Sequence, residues 1–442
     1  MPNATGGLRV KTRLFFSSPI AMIVAAMAIR LLVMAFAYPM QLDPSLDHDH
    51  FGGEVGRVAR SIATGHGFSS PYPEPTGPTA AIPPLYAYLV AGVFKLFGIY
   101  TTASALLLLT LNNLLSSLTC LPVFLIARRV FGLRVAVWSG WIWALFPYSI
   151  AISNEWVWET ILTTLLLTVL VLATLSLERS TSLLAWIGYG LLWGFTGLTN
   201  PATLSVLPFL GAWIWLRQWK RGSRCTGVAF AASLIFLATI APWVWRSSKI
   251  GGRFVPLRGG FGLHFISGNS SDTSSPLNLN VLPANSTNEL HRLQLIGEPG
   301  YMVEKERAAR DFITQYPLRY AGLTLRRILF TWTNIWDFRA RWTLDESGVL
   351  NILLYSFLSF LAFAGFARAI QDGPDLAVPL AIVLVCYPVV YYATYSDFRY
   401  RHPIDPIIVI FAAYGAKSIW RHGANSLEEA TAVGVRGEAS VP

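Results

Sequence analysis

The chain has 442 residues, of which 53% are hydrophobic and only 13% charged, and its mean hydropathy is +0.48. A soluble domain carries roughly twice that charged fraction, which excludes an ordinary soluble enzyme. The formal net charge of +10 does not point to nucleic acid: its Lys and Arg flank apolar runs and fill one long loop, where a bilayer accounts for them.

A helix needs about 20 mostly apolar residues to cross the hydrocarbon core. Runs of that kind fall at 17–38, 102–126, 135–153, 158–177, 183–199, 202–217, 227–245, 348–367, 376–394 and 404–420, which predicts an all-α polytopic membrane protein of about ten spans. The first run lacks a convincing small-residue cleavage site and reads as a retained signal anchor. Arg9, Lys11, Arg13, Arg128, Arg129, Arg134, Arg179, Arg217, Lys220, Arg221, Arg224, Arg368, Lys417 and Arg421 all fall on one side if both termini are cytoplasmic. The expected organisation follows. Residues 1–16 are a cytoplasmic N-terminus, 17–245 a transmembrane module with a first external loop at 39–101, and 246–347 a long external loop. Residues 348–420 are C-terminal spans and 421–442 a disordered cytoplasmic tail. Cys120, Cys225 and Cys386 lie in or beside apolar runs and read as packed thiols.

The first loop is long, polar and rich in Pro and Gly, and long loops in compact architectures are usually functional. Asp43, Asp47, His48, Asp49, His50 and Glu54 crowd its start. EVGRVARSIATG then predicts a short amphipathic helix with Val55, Val58, Ala59 and Ile62 as its apolar stripe and Gly65 at its end. A carboxylate at Glu54 suits a general base, with the flanking glycines leaving room for a substrate. The plain alternative is an acid favoured by the helix dipole. The Asp/His cluster at 47–50 is a possible divalent-metal site, although a solvated linker fits it better, since adjacent ligands seldom converge. Arg57 and His66 in the same segment, and Tyr86 behind the Pro83–Pro84 turn, are candidate substrate contacts. Segment 83–99 is apolar but short and carries Lys95, so it is expected to lie along the external interface.

Further along, Glu155 and Glu159 stand at the external turn into the fourth span, where an acid is a functional candidate by default; Trp156 and Trp158 make interfacial anchoring the alternative. The long loop opens with Arg246 and predicts two helices separated at Pro317. The last external turn holds Asp397, Arg399, Arg401, His402 and Asp405. Arg offers a planar, always-charged fork for phosphate oxygens. The alternative is pairing with Asp397 and Asp405.

The order of these features is more specific than any one of them. A first span and an acid precede R-x-ARSIATGHGFSSP, followed by PPLYAYLVAGVFKLFG, a second helix ending in ARRVFG, and YSDFRYRHPIDPIIVIFAAY near the end. This order resembles GT-C superfamily glycosyltransferases, in the branch similar to protein O-mannosyltransferases and lipid A aminoarabinose transferases. The resemblance implies a polyprenyl-phosphate-linked sugar donor and an active site on the external, periplasmic side of a bacterial inner membrane. It also implies an inverting transfer in which a first-loop acid activates a glycan, lipid or protein acceptor. Many members carry that acid as Asp in a pattern like Asp-Glu-x-x-Tyr. Here Glu54 in FGGEVGRVAR fits the spacing best and Asp49 comes second. Arg399 and Arg401, joined by Arg246, would hold the donor phosphate, with Glu155, Glu159 and His402 near the substrate. No cofactor beyond the possible metal is implied, and the partners are donor, acceptor and membrane lipids. A transporter or flippase of lipid-linked saccharides would instead show repeats and broken helices with midplane polar groups, none of which the sequence shows; a polysaccharide polymerase would differ mainly in its acceptor.

Overall fold

The computed structural model describes residues 16–37, 52–155, 157–223, 225–273, 277–336 and 348–420. Asp49 and the 47–50 cluster, the N-terminal segment 1–15 and the tail 421–442 lie outside the described residues. Among the described residues the regular secondary structure is helical, with one isolated bridge between Ser69 and Pro78.

The first span is α1 (Pro19–Ala37). The first loop contributes α2 (Gly53–Ala63) and α3 (Pro84–Phe97). The 14 residues of α3 reach only about 21 Å at 1.5 Å per residue, short of a roughly 30 Å hydrocarbon core. Its buried face (Tyr86, Ala87, Val90, Ala91, Phe94) seats it on protein. Next come α4 (Thr102–Leu118) and α5 (Cys120–Phe131), which together form one long apolar unit. The run expected at 135–153 is two helices, α6 (Leu133–Leu145) and α7 (Pro147–Glu155), bent by 42°. Pro147 lacks the N–H that would continue the ladder and so breaks it. At the bend Ala144 O accepts from Arg30 Nη1 at 3.0 Å, and Phe146 O accepts from Ser149 Oγ at 2.9 Å besides Ile150 N at 3.2 Å. Arg30 is fully buried and also donates to Ser116 Oγ, Ala26 O and Ser149 Oγ, so it ties α1 to three neighbours.

The bundle continues with α8 (Thr160–Leu177), α9 (Leu183–Thr199), α10 (Leu207–Lys220) and α11 (Thr226–Gly251). α11 outruns its expected end at 245 and stops only where Gly252 turns left-handed at φ 62. Arg246 is therefore helical, not the first residue of a loop. The long loop supplies α12 (Phe261–Gly268), α13 (Thr287–Gln315, kinked at Gly297) and α14 (Pro317–Thr333), with Pro317 opening the last as expected. The final part is α15 (Val349–Asp372), α16 (Val378–Cys386), α17 (Val389–Ala393) and α18 (405–420). Among the described residues six helices are long and apolar enough to cross a membrane, or seven with the bent α6–α7 pair. The remaining expected spans correspond to the shorter α9, α10 and α18.

Two apolar clusters organise these parts. One fills the bundle, from Met22 and Trp143 through Leu167 to the wholly buried stretch Ile407–Ala413 of α18. The other joins both long loops to the bundle end, with Val58, Tyr72, Phe94, Val157, Leu263 and Tyr301 at its centre. The second cluster builds the floor on which the polar residues described next converge.

Candidate active site

Glu54 is the second residue of α2 and sits in its first turn. The helix starts there because Gly52 (φ 101) turns the chain sharply, with no room for a side chain. A Cβ on Gly52 would lie 2.8 Å from Val157 O. That contact presses the start of α2 against the 157–159 turn, which carries Trp158 and Glu159 into α8. The Glu54 carboxylate accepts no hydrogen bond among the described residues and lies within electrostatic reach of Arg258, Arg57, Arg399 and Glu159. Burial pushes its pKa above the ordinary 4.5, and the three arginines offset this only in part. A carboxyl so placed holds a proton more readily than a free one, a shift in the direction that proton-transfer chemistry uses.

Arg399 lies in a 3-10 turn, Phe398–Ile404, between α17 and α18. Asp397 holds it in a fork, with Nε to Oδ1 and Nη2 to Oδ2 both at 3.0 Å, and its guanidinium stacks 3.0 Å from the centroid of Trp158. Arg258, in the segment between α11 and α12, donates its Nε to Ala81 O at 2.9 Å. Its two terminal nitrogens make no hydrogen bond among the described residues. Arg258 is in electrostatic contact with Glu54, Tyr400, Tyr395 and Glu159. His264 on α12 stacks on Tyr395, with Nδ1 3.0 Å from its hydroxyl, and Tyr395 in turn hydrogen-bonds Tyr400. Burial, together with Arg258 and Arg399, pushes the His264 imidazole well below its ordinary 6.5. The result is a buried carboxyl beside two arginines on an aromatic wall, all at one end of the bundle.

The expected residues thus separate into two sets. Glu54, Arg57, Glu159 and Arg399 come together. Arg57 is buried, with Nη1 3.5 Å from Pro71 O, and Tyr86 lies beneath, donating to Asn112 Oδ1 at 3.1 Å and feeling Glu159. Glu155 closes α7 and is half-buried. The others are placed elsewhere. Arg401 is turned into the bundle, with Nε on Asp405 Oδ1 at 2.8 Å and Nη1 on Ser359 Oγ at 3.0 Å. His402 is fully buried, with Nδ1 3.3 Å from the same carboxylate. Arg246 donates to Thr79 O and Phe68 O at 2.9 and 2.8 Å and stacks on Phe68 and Trp243. It therefore clamps the first loop to α11. His66 is exposed beyond the end of α2, bonded to Thr64.

Arg258, His264, Glu298 and Tyr72 are the polar residues near this end that periodicity passes over. Glu298 on α13 accepts from Thr79 Oγ1 and from Ala80 N (2.8 Å), and burial raises its pKa, with Glu54 adding to the shift. Tyr72 is 1% exposed, and its hydroxyl has no hydrogen-bond partner among the described residues. Among the described residues no group of three or more His, Cys, Asp or Glu is arranged to hold a metal ion.

Residues 81–245 match the family profile described as dolichyl-phosphate-mannose-protein mannosyltransferase. No curated protein sequence matches the chain. Its fold matches the crystal structure of the apo oligosaccharyltransferase from Archaeoglobus fulgidus at TM-score 0.51 and 15% identity, covering 93% of this chain and 52% of that one. The same archaeal enzyme tethered with an acceptor peptide containing the NVT sequon matches at TM-score 0.53 and 14% identity, covering 91% and 50%. The fold is therefore of the GT-C type, in a helical membrane protein, and the chain spans about half the length of these structures.

Proposed function

We propose that the protein is a membrane glycosyltransferase that moves a sugar from a polyprenyl-phosphate donor to an acceptor hydroxyl or amine at the external face of a bacterial inner membrane. One observation carries the reading: the buried Glu54 carboxylate, unbonded among the described residues, lies within electrostatic reach of Arg258 and Arg399. The family profile over 81–245, named for a dolichyl-phosphate sugar donor, supports the donor class.

In this reading Glu54 takes the proton from the acceptor as the acceptor atom attacks the anomeric carbon. The bond from that carbon to the phosphate oxygen breaks, and its electron pair leaves on polyprenyl phosphate. A single displacement of this kind inverts the anomeric centre. Arg258 and Arg399 receive the charge that grows on the leaving phosphate, and groups aimed at developing charge contribute more than ground-state contacts. Asp397 sets the plane of the Arg399 guanidinium through its fork. Arg401 acts one step back: its pairing with Asp405 anchors the turn from which Arg399 projects. Glu159 carries a second negative charge near Glu54 and disposes the incoming acceptor.

The test offers purified protein a set of undecaprenyl- and dolichyl-phosphate hexoses and pentoses and measures release of the lipid phosphate. Turnover of at least one donor by the wild type, and its near-complete loss in Glu54→Gln, is the expected result. No donor consumed, or full activity in Glu54→Gln, sinks the proposal.

A further inference from the structure

His264 was not among the residues that the sequence singled out, yet its surroundings are specific. α12 is only eight residues long, but both ends are pinned. Gly262 packs against the α13 backbone at Met302, and Gly268 against the Thr394 carbonyl, each so closely that a Cβ has no room. Arg327 on α14 fastens the second end, donating to Asn269 Oδ1 at 2.9 Å, to Tyr392 O at 3.1 Å and to Gly268 O. The imidazole is therefore held in place rather than carried on a loose loop. Nδ1 is engaged by the Tyr395 hydroxyl at 3.0 Å, and the ring stacks on Tyr395. Nε2 makes no hydrogen bond among the described residues. The ring lies within electrostatic reach of both Arg258 and Arg399.

These facts constrain the chemistry. Burial, joined by the two nearby guanidiniums, disfavours a positive charge on the ring, so it is neutral at physiological pH. A neutral imidazole carries one proton, and the group on Nδ1 decides which nitrogen holds it. Tyr395 also bonds Tyr400; with Tyr400 donating to Tyr395 and Tyr395 donating to Nδ1, the proton rests on Nε2. An N–H held within electrostatic reach of two arginines suits an anion with several oxygens, because each donor can take a different one.

We infer that His264 is a substrate-binding residue whose Nε2–H donates to an oxygen of the donor's phosphate, completing a three-point cradle with Arg258 and Arg399. The inference rests on the glycosyltransferase reading above and adds a residue and an atom to it. Its value to the protein is that it supplies a donor without adding charge, so polyprenyl phosphate is gripped yet can be released.

Two substitutions separate this role from a purely structural one. In His264→Asn the amide reaches the Nδ1 position and keeps the contact with Tyr395 but has nothing at Nε2. In His264→Gln the amide reaches the Nε2 position and loses the Tyr395 contact. The readout is binding of undecaprenyl phosphate alone to the full chain in nanodiscs, with the KM for the lipid-linked donor alongside. Loss of a hydrogen bond to a charged group corresponds to roughly 10- to 100-fold. We expect that loss in affinity and a matching rise in KM for Asn, with Gln within about 3-fold of wild type on the same scale. Rescue by Asn instead of Gln, equal impairment of both, or no impairment in either overturns the assignment. Failure of the wild type to bind undecaprenyl phosphate at all overturns the functional reading, and this inference with it. Wild-type binding with the wrong pattern among the variants overturns the inference alone.

Discussion

Glu54 resists ionising where it stands, and that resistance has a measurable sign. Burial raises its pKa above 4.5, and Arg258, Arg57 and Arg399 pull it back down. As the proposed base, Glu54 works only when deprotonated, so the rate is expected to fall on the acid side with a limb centred above 4.5. Glu54→Gln is expected to lower kcat by roughly 100- to 10,000-fold and to leave a residual rate without that limb. Arg258 makes a second case. It favours the charged form of Glu54, so Arg258→Ala moves the acid limb to higher pH. The same change removes a proposed phosphate contact and is expected to raise the donor KM by roughly 10-fold or more, while Arg258→Lys restores charge but not the fork. A pH–rate profile of the three proteins checks both effects, and an unmoved limb in Arg258→Ala argues that the two groups are not coupled. Legibility at this scale followed chemistry. Glu54, Glu159 and Arg399 stand out as charges at the rim of apolar spans. Arg258 and His264 sit in RGGFGLHFISG, where no period or charge run marks them. Their partners Ala81 and Tyr395 are 177 and 131 residues away in sequence. Arg401 and His402 looked equivalent to Arg399, and only the direction of the 3-10 turn separates them, since Asp405 draws both inward.

At the scale of elements, the site depends on how α2 begins. Gly52 combines a φ of 101 with a Cβ position 2.8 Å from Val157 O, so both backbone conformation and space are closed to a side chain. Gly52→Ala is expected to cost about 1–3 kcal/mol locally. The strain is relieved by moving the start of α2 off the 157–159 turn, which carries Glu54 away from Glu159. The expected signature is a large fall in kcat with a small change in Tm; an unchanged kcat would mean that α2 is not placed by this contact. The amphipathic stripe of α2, the short helix α3 and the break at Pro317 could all be read from residue order, because each has a local cause. The bend at Pro147 and the extension of α11 to Gly251 could not. An apolar count is blind to direction, and α11 continues because Arg246 finds carbonyls at Phe68 and Thr79, contacts that exist only once the first loop has folded over it.

Across the whole molecule, α8 separates two polar centres of opposite design. Its 18 residues span about 27 Å, with Glu159 at one end and Glu178 at the other. At the first, the carboxylates of Glu54 and Glu159 accept no hydrogen bond among the described residues; at the second, Glu178 is saturated. Its side chain is 1% exposed and receives Arg217 at 2.6 Å, Arg221 at 2.7 Å and Arg129 at 3.7 Å, while Arg217 also pairs with Asp375. This hub ties α5, α8 and α10 together at the end that the positive charge bias assigns to the cytoplasm. Burial alone would raise the Glu178 pKa, but hydrogen bonds from Arg217 and the charge of Arg221 outweigh it and hold the value below 4.5. A depressed carboxyl contributes stability that is fully present above its unfolded value and lost as pH falls through the folded one. Glu178→Gln leaves three arginines facing a neutral amide. Removing one partner of a fully buried pair costs about 3–5 kcal/mol. These arginines keep between a quarter and a third of their exposure, so about 2–3 kcal/mol is expected here. Thermal unfolding of wild type and variant near pH 7 measures that difference, which should shrink steadily once the pH drops below 4.5. Turnover per folded molecule should be unchanged, since the hub lies a full helix length from Glu54. A variant that folds as well as wild type, or that folds but loses turnover, would show that the two ends are not divided into a stabilising pole and a reactive one.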